Sequence, residues 1–171
     1  MSKGLAKTGV PLKEELEKAP GFPSKERMIN GPVAVIECIQ KIPCDPCQLV
    51  CPFGAIKVNN LIGLPELNEE ICTGCELCIA YCPGLAIFVV DYTFSEDDVL
   101  ISFPYEYLPL PEVGSIVDAT DRMCKVVTKG KIVKVLERKS FDGTVVVSVA
   151  VPKNFIYEVR GITISKGEGC I

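Results

Sequence analysis

The sequence contains no histidine, no tryptophan and no long uncharged apolar run. Without imidazole there is no Rieske centre, no histidine-bound zinc or haem, and no residue of the type that most often serves as a general base. No segment has the ~18 consecutive apolar residues that a membrane-spanning helix needs. The first residues also lack the apolar core of a secretory signal. We therefore expect a cytoplasmic protein without a membrane span that is not catalytic by itself.

A basic surface is also missing. The 171 residues include 18 Lys and Arg against 22 Asp and Glu, which gives a formal net charge of −4 and a pI of about 5.0. Domains that bind nucleic acid usually carry a clustered positive charge, so we expect no nucleic-acid partner. Few Asn and Gln beside abundant Val, Ile, Lys and Glu favour a heat-adapted source, which we predict to be a thermophilic anaerobe.

Cysteine, in contrast, is abundant. The chain has 10 cysteines, and eight of them lie between Cys38 and Cys82. In a reducing compartment, cysteines this closely spaced indicate metal ligands rather than disulfides. The segment from Cys72 to Pro83 reads C-x2-C-x2-C-x3-C-P, the spacing found in bacterial two-cluster iron–sulfur carriers, in which the fourth cysteine binds the other cluster. This pattern predicts [4Fe–4S] clusters and an electron-transfer function.

The cysteine region is an internal repeat. Cys44, Cys47 and Cys51-Pro52 reproduce the last three positions of the later motif, and CPFGAIKV from Cys51 aligns with CPGLAIFV from Cys82. Such self-similarity indicates two copies of one strand–loop–turn–strand unit related by an approximate two-fold axis. Because neither copy can bury its apolar face alone, the two copies must pack together.

Thiolates in a tight loop suit an iron–sulfur cluster, because one turn of backbone reaches three corners and a distant cysteine supplies the fourth. The repeat then assigns four cysteines to each of two [4Fe–4S] clusters. Cluster one takes Cys38, Cys44, Cys47 and Cys82, and cluster two takes Cys51, Cys72, Cys75 and Cys78.

Cys38 departs from the regular spacing. The repeat would place a cysteine at position 41, which is Lys41, so the first motif reads C-x5-C where C-x2-C is expected. Either an insertion lengthens the loop and Cys38 still binds, or cluster one is a [3Fe–4S] cluster, or Asp45 or solvent holds the fourth iron. We expect Cys38 to bind, because it follows a predicted strand and a longer loop adds little closure entropy.

The remaining cysteines and the aromatic neighbour have simpler interpretations. Zinc sites also use C-x2-C pairs, but they need neither the third cysteine nor the C-x3-C-P ending, so zinc is the weaker alternative. Cys124 is predicted to be buried in the β region, and Cys170 to have no special role. Tyr81 is expected to pack against a cluster, and so are Ile56 and Ile87 with their neighbouring alanines.

Upstream of the cysteines, residues 1–32 are rich in proline and glycine breaks and are predicted to form an arm, either a loosely ordered tail or a segment that wraps a partner. In the cysteine region, short helical turns are expected before Pro52 and Pro83. Strands are predicted at 33–36, 55–58, 61–67 and 85–90.

Beyond residue 92, short β-branched runs alternate with turn residues. Turns are predicted at Lys129-Gly130, Asp142-Gly143 and Pro152-Lys153-Asn154. This spacing predicts a small antiparallel β barrel or sandwich, without a metal motif or phosphate loop of its own. The predicted strands are 99–103, 115–119, 125–127, 131–136, 144–151 and 155–164.

Residues 38–90 resemble the bacterial-type two-[4Fe–4S] ferredoxins. The stretches CIQKIPCDPC, GLAIFVVDYTF and ISFPYEYLPLPEVG extend this to a narrower resemblance, to the small iron–sulfur subunits of multisubunit flavin-dependent dehydrogenases that oxidise proline, hydroxyproline, related amines or glycerol 3-phosphate. The resemblance implies an α+β fold: an N-terminal arm (1–32), a two-cluster ferredoxin domain with a pseudo-two-fold repeat (33–92), and a small all-β docking domain (93–171).

Three functions remain open at this point. The resemblance implies an electron-transfer subunit that relays single electrons from flavin-containing (FAD or FMN) dehydrogenase subunits to an acceptor within a hetero-oligomer. A freestanding soluble two-cluster ferredoxin is the first alternative. An iron–sulfur regulatory or scaffold protein, whose β domain binds a partner, is the second.

Overall fold

A computed structural model describes residues 4–141 and 143–163. Its regular elements are short helices at the N-terminus and in the cysteine loops, and longer strands towards the C-terminus. The helices are α1 (Leu5–Thr8), α2 (Lys13–Leu16), α3 (Lys25–Met28), α4 (Pro46–Val50) and α5 (Leu77–Ala80), with 3-10 turns at Lys139–Phe141 and Lys153–Phe155. The strands are β1 (Val33–Ile36), β2 (Ile56–Val58), β3 (Pro65–Leu67), β4 (Ile87–Asp91), β5 (Asp98–Tyr105), β6 (Ile116–Thr120), β7 (Val126–Leu136), β8 (Val145–Pro152) and β9 (Gly161–Thr163).

One antiparallel sheet organises the described chain. Its seven strands run in the order β1-β4-β5-β8-β7-β6-β9, and β2 and β3 form a separate hairpin. The pairing of β4 with β5 crosses the boundary predicted between residues 92 and 93. The division into two domains therefore stays a prediction, while the backbone hydrogen bonding is continuous across it.

The two faces of the sheet contact different cores. On β1, Val33 and Val35 face the larger core, whereas Ala34 and Ile36 face a second core that also contains Cys47 and Cys78. Alternate side chains of a strand point to opposite faces of a sheet. Strand β8 is buried along almost its whole length, because both of its faces contact a core. The cysteine loops thus form a layer on one face of the sheet.

The sheet curls until its two ends meet. Glu37, which follows β1 at one edge, accepts a hydrogen bond of 2.6 Å from Arg160 Nε, next to β9 at the other edge. Arg122, which follows β6, donates to the same carboxylate from its Nε at 2.6 Å. These contacts join the end of β1 to β9, six positions away in the sheet order, and to β6, five positions away.

The N-terminal segment packs against its own chain. Leu16 and Met28 are each 2% exposed. The carbonyl of Gly21 accepts a hydrogen bond from Ile36 N, and that of Pro20 accepts one from Leu67 N. Residues 4–32 are therefore not a loose tail, whereas contact with a partner subunit stays a prediction.

In the cysteine region, β1, β2 and β4 agree with the predicted strands to within two residues, whereas the predicted strand 61–67 is a strand only at 65–67. The later part needs two corrections. Lys129-Gly130 is not a turn, because the two predicted strands around it form the single strand β7. A Cβ at Gly130 would lie 2.5 Å from Val149 Cγ2, so glycine serves the close approach of β8. Only 161–163 of the predicted strand 155–164 is a strand, after a 3-10 turn, and residue 164 lies outside the described residues, as does Asp142 of the predicted Asp142-Gly143 turn.

No helix within the described ranges is long and apolar enough to cross a lipid bilayer.

Candidate metal centres

Two separate cavities lie in the cysteine layer. The cluster-one cavity is lined by apolar side chains such as Ile36, Ile42 and Ile87 and by Pro65 of the β2–β3 hairpin. Four cysteines line it: Cys38, Cys44, Cys47 and Cys82.

The cluster-two cavity has a similar lining. Its apolar walls include Ala34, Phe53, Ile56 and Val89. Four cysteines line it: Cys51, Cys72, Cys75 and Cys78. The structure thus brings the eight predicted ligands together in the same two groups that the repeat predicts, each group with three cysteines from one copy and one from the other.

Cys38 lines the cluster-one cavity although its spacing is irregular. It directly follows Glu37, whose backbone N–H donates to Ala86 O at 2.8 Å, so the end of β1 is tied to the chain that follows Cys82. Lys41 and Asp45 are exposed and belong to neither cavity lining. The position of Cys38 supports the interpretation that the extra loop residues leave it available as a ligand.

Repeated backbone geometry shapes both cavities. Ala55 N donates to Cys51 Sγ at 3.3 Å, and its repeat mate Ala86 N donates to Cys82 Sγ at 3.5 Å. Gly54 has φ 62° and Leu85, the equivalent residue of the other copy, has φ 51°. N–H donors of this kind stabilise thiolate charge and are common around metal-bound sulfur.

Burial affects the thiols strongly. It raises the pKa of Cys47 to about 11, with a smaller contribution from the negative charge of Cys82, and it also raises the pKa of Cys78. The pKa values of Cys38 and Cys44 are raised for the same reason. These thiols are protonated at neutral pH, so binding of a cationic metal centre is coupled to proton release.

The donor set fits an iron–sulfur cluster. Four thiolates favour soft metal centres, and several backbone N–H groups point at sulfur. Within residues 4–141 and 143–163, no three His, Cys, Asp or Glu side chains are arranged to hold a single metal ion.

Ile56 and Ile87 pack around the cavities as predicted, but two predictions about individual residues are wrong. Tyr81 lines neither cavity: its ring packs edge-to-face on Phe141, and its hydroxyl donates to Ser140 O at 2.7 Å. Cys124 is exposed rather than buried, because it lies in a turn with φ 58° after β6 instead of within a strand. Cys170 lies outside the described residues.

Charged residues beside the cysteine loops were missed by the sequence analysis. Glu76, between Cys75 and Cys78, is 8% exposed and accepts a hydrogen bond of 2.7 Å from Ser102 on β5. Its other oxygen forms an ion pair with Lys134 on β7. The only sequence signal for this network is an acidic residue inside the cysteine motif, because its partners lie far along the chain.

A second group is formed by Glu37, Arg122 and Arg160. Burial alone would raise the pKa of Glu37, but the charges and hydrogen bonds of the two arginines outweigh it and the pKa is lowered. The Arg160 guanidinium also lies over the ring of Phe88, 5.1 Å from its centroid. Glu37 therefore stays ionised beside Cys38.

Comparison with protein families finds a 4Fe-4S binding domain (Fer4) at residues 65–88. This range contains Cys72, Cys75, Cys78 and Cys82. The chain therefore includes a ferredoxin-type segment that binds a 4Fe–4S cluster.

Several curated proteins are similar over part of their length. Protein NrfC of Escherichia coli strain K12 is 39% identical over 56 residues, which is 32% of this chain and 25% of that protein. An uncharacterized ferredoxin of Methanocaldococcus jannaschii is 43% identical over 65 residues, 38% of this chain and 37% of the relative. The polyferredoxin-like subunit of an aliphatic sulfonate oxidoreductase of Pyrococcus furiosus is 38% identical over 56 residues, 33% of this chain and 30% of the relative.

The chain spans less than two fifths of the length of each of these relatives. Solved structures give no match. These similarities identify an iron–sulfur segment that this chain shares with ferredoxins and with oxidoreductase subunits.

Proposed function

We propose that this chain is the electron-transfer subunit of a flavin-dependent dehydrogenase complex, in which two [4Fe–4S] clusters relay single electrons from a flavin-containing subunit to an acceptor. The observation that carries the proposal is the pair of cavities, each lined by four cysteines drawn from both copies of the repeat. Each cluster, when bound, takes up and gives up one electron, which suits the stepwise emptying of a two-electron flavin.

The residues of the chain have defined parts in this function. The proposed ligands of cluster one are Cys38, Cys44, Cys47 and Cys82, and those of cluster two are Cys51, Cys72, Cys75 and Cys78. Apolar side chains such as Ile36 and Ile87 keep water from one cavity, and Ile56 and Val89 from the other. Low access of water and N–H donors to sulfur are the means by which proteins adjust cluster potentials.

The repeat also supports transfer between the two clusters. Cys47 and Cys78 are equivalent in the two copies, and both are buried in the same core. Helices α4 and α5, which carry these two cysteines, contact each other. The loops thus bring the cavities together through their most buried ligands.

Exposed apolar side chains support a place in a complex. Leu108 is 87% exposed, and Tyr107 beside it is 72% exposed. Leu49 on α4 is 75% exposed, and Leu61 in the β2–β3 turn is 73% exposed. Leu49 and Leu61 are single exposed side chains, which are common on protein surfaces, whereas the neighbouring pair Tyr107 and Leu108 offers an apolar contact to another protein.

The test is anaerobic purification of the tagged full-length chain from its native host at low salt, followed by metal, sulfide and flavin analysis and a subunit gel. We expect about eight iron and eight sulfide per chain, together with larger subunits in constant ratio and one flavin or more per complex. A zinc-containing chain without sulfide would overturn the cluster assignment. A brown chain without flavin or partners would overturn the complex but not the clusters.

A freestanding ferredoxin is the second candidate, and one observation favours it. The strands beyond residue 92 continue the sheet of the cysteine region, and residues 4–32 pack on that region, so these parts bury their apolar surface within one chain. Under this alternative, the purified chain sediments as a monomer with both clusters and exchanges electrons with unrelated oxidoreductases at similar rates.

A further inference from the structure

Arg27 joins the N-terminal segment to the cysteine loop of cluster two. Its guanidinium donates to the backbone carbonyl of Cys72 at 2.7 Å and to that of Glu69 at 2.8 Å. It also donates to Pro32 O at 2.9 Å and Gly31 O at 3.2 Å. One side chain therefore links the end of the arm, the start of β1 and the first cysteine of the second motif.

The surrounding contacts hold Arg27 in place. Ser24 caps α3 by accepting a hydrogen bond of 3.0 Å from Arg27 N. The carboxylate of Glu69 in turn accepts from Ser24 N at 2.6 Å and from Ser24 Oγ at 2.7 Å. Ser24 binds the side chain of Glu69 and Arg27 binds its backbone carbonyl. The N-terminal segment is therefore held at one position against the loop that precedes Cys72.

The positive charge of Arg27 is directed to carbonyl oxygens rather than to an acid. Among the residues that the structure describes, no carboxylate forms an ion pair with it, and the nearby Glu69 carboxylate binds Ser24 instead. Arg27 is also only partly exposed. A partly buried charge is screened by salt much less than an exposed one.

We infer that Arg27 is a positioning residue for cluster two, which holds the backbone at Cys72 and raises the reduction potential of that cluster relative to a chain without the charge. Reduction adds one negative charge to the cluster, and a fixed positive charge nearby favours the more negative state. The planar guanidinium is suited to this task, because its five donors reach several carbonyls at once.

This inference rests on the proposed function, and its test is a redox titration of the full-length holoprotein followed by electron paramagnetic resonance. Arg27→Met is compared with Arg27→Lys and with Lys25→Met. Lys25 carries the same charge on the same helix, but its side chain is 67% exposed and it faces Glu17. The signal that changes in Cys75→Ser is assigned to cluster two.

We expect Arg27→Met to move the potential of cluster two to more negative values and to leave that of cluster one unchanged. Arg27→Lys keeps the charge but not the fork of donors. In Arg27→Lys, the potential of cluster two is expected to stay near that of the parent protein, while an iron chelator removes cluster two more readily. Lys25→Met is expected to change neither potential, because exposed charges are screened.

Four results would overturn the inference. An equal shift of both clusters in Arg27→Met, or a shift of the same size in Lys25→Met, would show a general charge effect. A shift in Arg27→Lys as large as that in Arg27→Met would show that charge is not the cause. Unchanged potentials in Arg27→Met with normal iron content would remove the role altogether. Absence of clusters from the parent chain, in contrast, would contradict the proposed function itself.

Discussion

At the scale of single residues, the eight cysteines of the two cavities have unequal surroundings. Cys47 and Cys78 are buried, whereas Cys75 is exposed, and the other five lie between these extremes. Cys38 is singular because its spacing departs from the repeat while its position in the cavity does not. Single substitutions therefore have different expected effects at different cysteines.

Cys38→Ala tests whether the irregular cysteine is a ligand. We expect the iron content to fall from about eight to about seven per chain and a [3Fe–4S] signal to appear in the oxidised protein, because one corner of cluster one loses its thiolate. The measurement is iron analysis with electron paramagnetic resonance. Cys124→Ala, outside both cavities, is the control and should keep the parent values. Full iron content in Cys38→Ala would show that Asp45 or solvent serves instead.

Gly54→Ala tests the turn that follows Cys51. Gly54 has φ 62° and open space around its Cβ position, so the cost is conformational and not steric, about 1–2 kcal/mol of unfolding free energy. Gly84→Ala is the matched control in the other copy, because its Cβ also meets open space but its φ is not positive. Guanidinium unfolding of both variants checks this. Equal stability of the two variants would show that an alanine at position 54 is not strained by the positive φ.

At the scale of elements, the contact between β7 and β8 explains why a dipeptide that predicts a turn lies inside a strand. Lys129-Gly130 has the composition of a turn, yet Gly130 pairs with Val117 on β6 and makes room for Val149 and Val151 of β8. Strand β7 extends through this point for 11 residues. The glycine thus serves packing on a face of the sheet.

Gly130→Ala is expected to destabilise the chain by about 1–3 kcal/mol, the usual cost of overpacking a well-packed core. The added methyl would lie 2.5 Å from Val149 Cγ2, on a strand that cannot move away without breaking its pairing with β5. Lys131→Ala, an exposed neighbour on the same strand, should change stability by at most ~0.5 kcal/mol. Denaturant unfolding compares the two variants. An unchanged free energy of unfolding in Gly130→Ala would mean that β8 shifts enough to accommodate the added methyl group.

At the scale of the whole molecule, the carboxylate of Glu37 closes the sheet. Its side chain is 6% exposed, and those of Arg122 and Arg160 are 19% and 3% exposed. The group lies directly before Cys38 and joins the two ends of the strand order. The far C-terminal strand β9 and the cluster-one ligand are therefore parts of one folded unit.

Arg160→Met is expected to cost about 3–5 kcal/mol of unfolding free energy, because removing one member of a buried ionic group leaves the others incompletely paired. It should also speed the loss of cluster one to a chelator more than that of cluster two. Lys129→Met, which removes an exposed partner of Asp118, is the control and should cost at most ~1 kcal/mol. If the chelator removes both clusters from Arg160→Met at the rates of the parent protein, the ionic group around Glu37 does not stabilise the position of Cys38.

The sequence by itself determined the local features: the ten cysteines, their repeat, the grouping of eight of them, and the short strands around them. These follow from spacing along the chain, since ligands in one loop are held together by a few residues of backbone. The tertiary structure alone decided the single sheet across residues 92 and 93, the exposed position of Cys124, and the contacts of Arg27, Glu37 and Glu76. The long-range contacts of Arg27, Glu37 and Glu76 join residues from 26 to 123 positions apart, and no local pattern in a chain encodes such pairings.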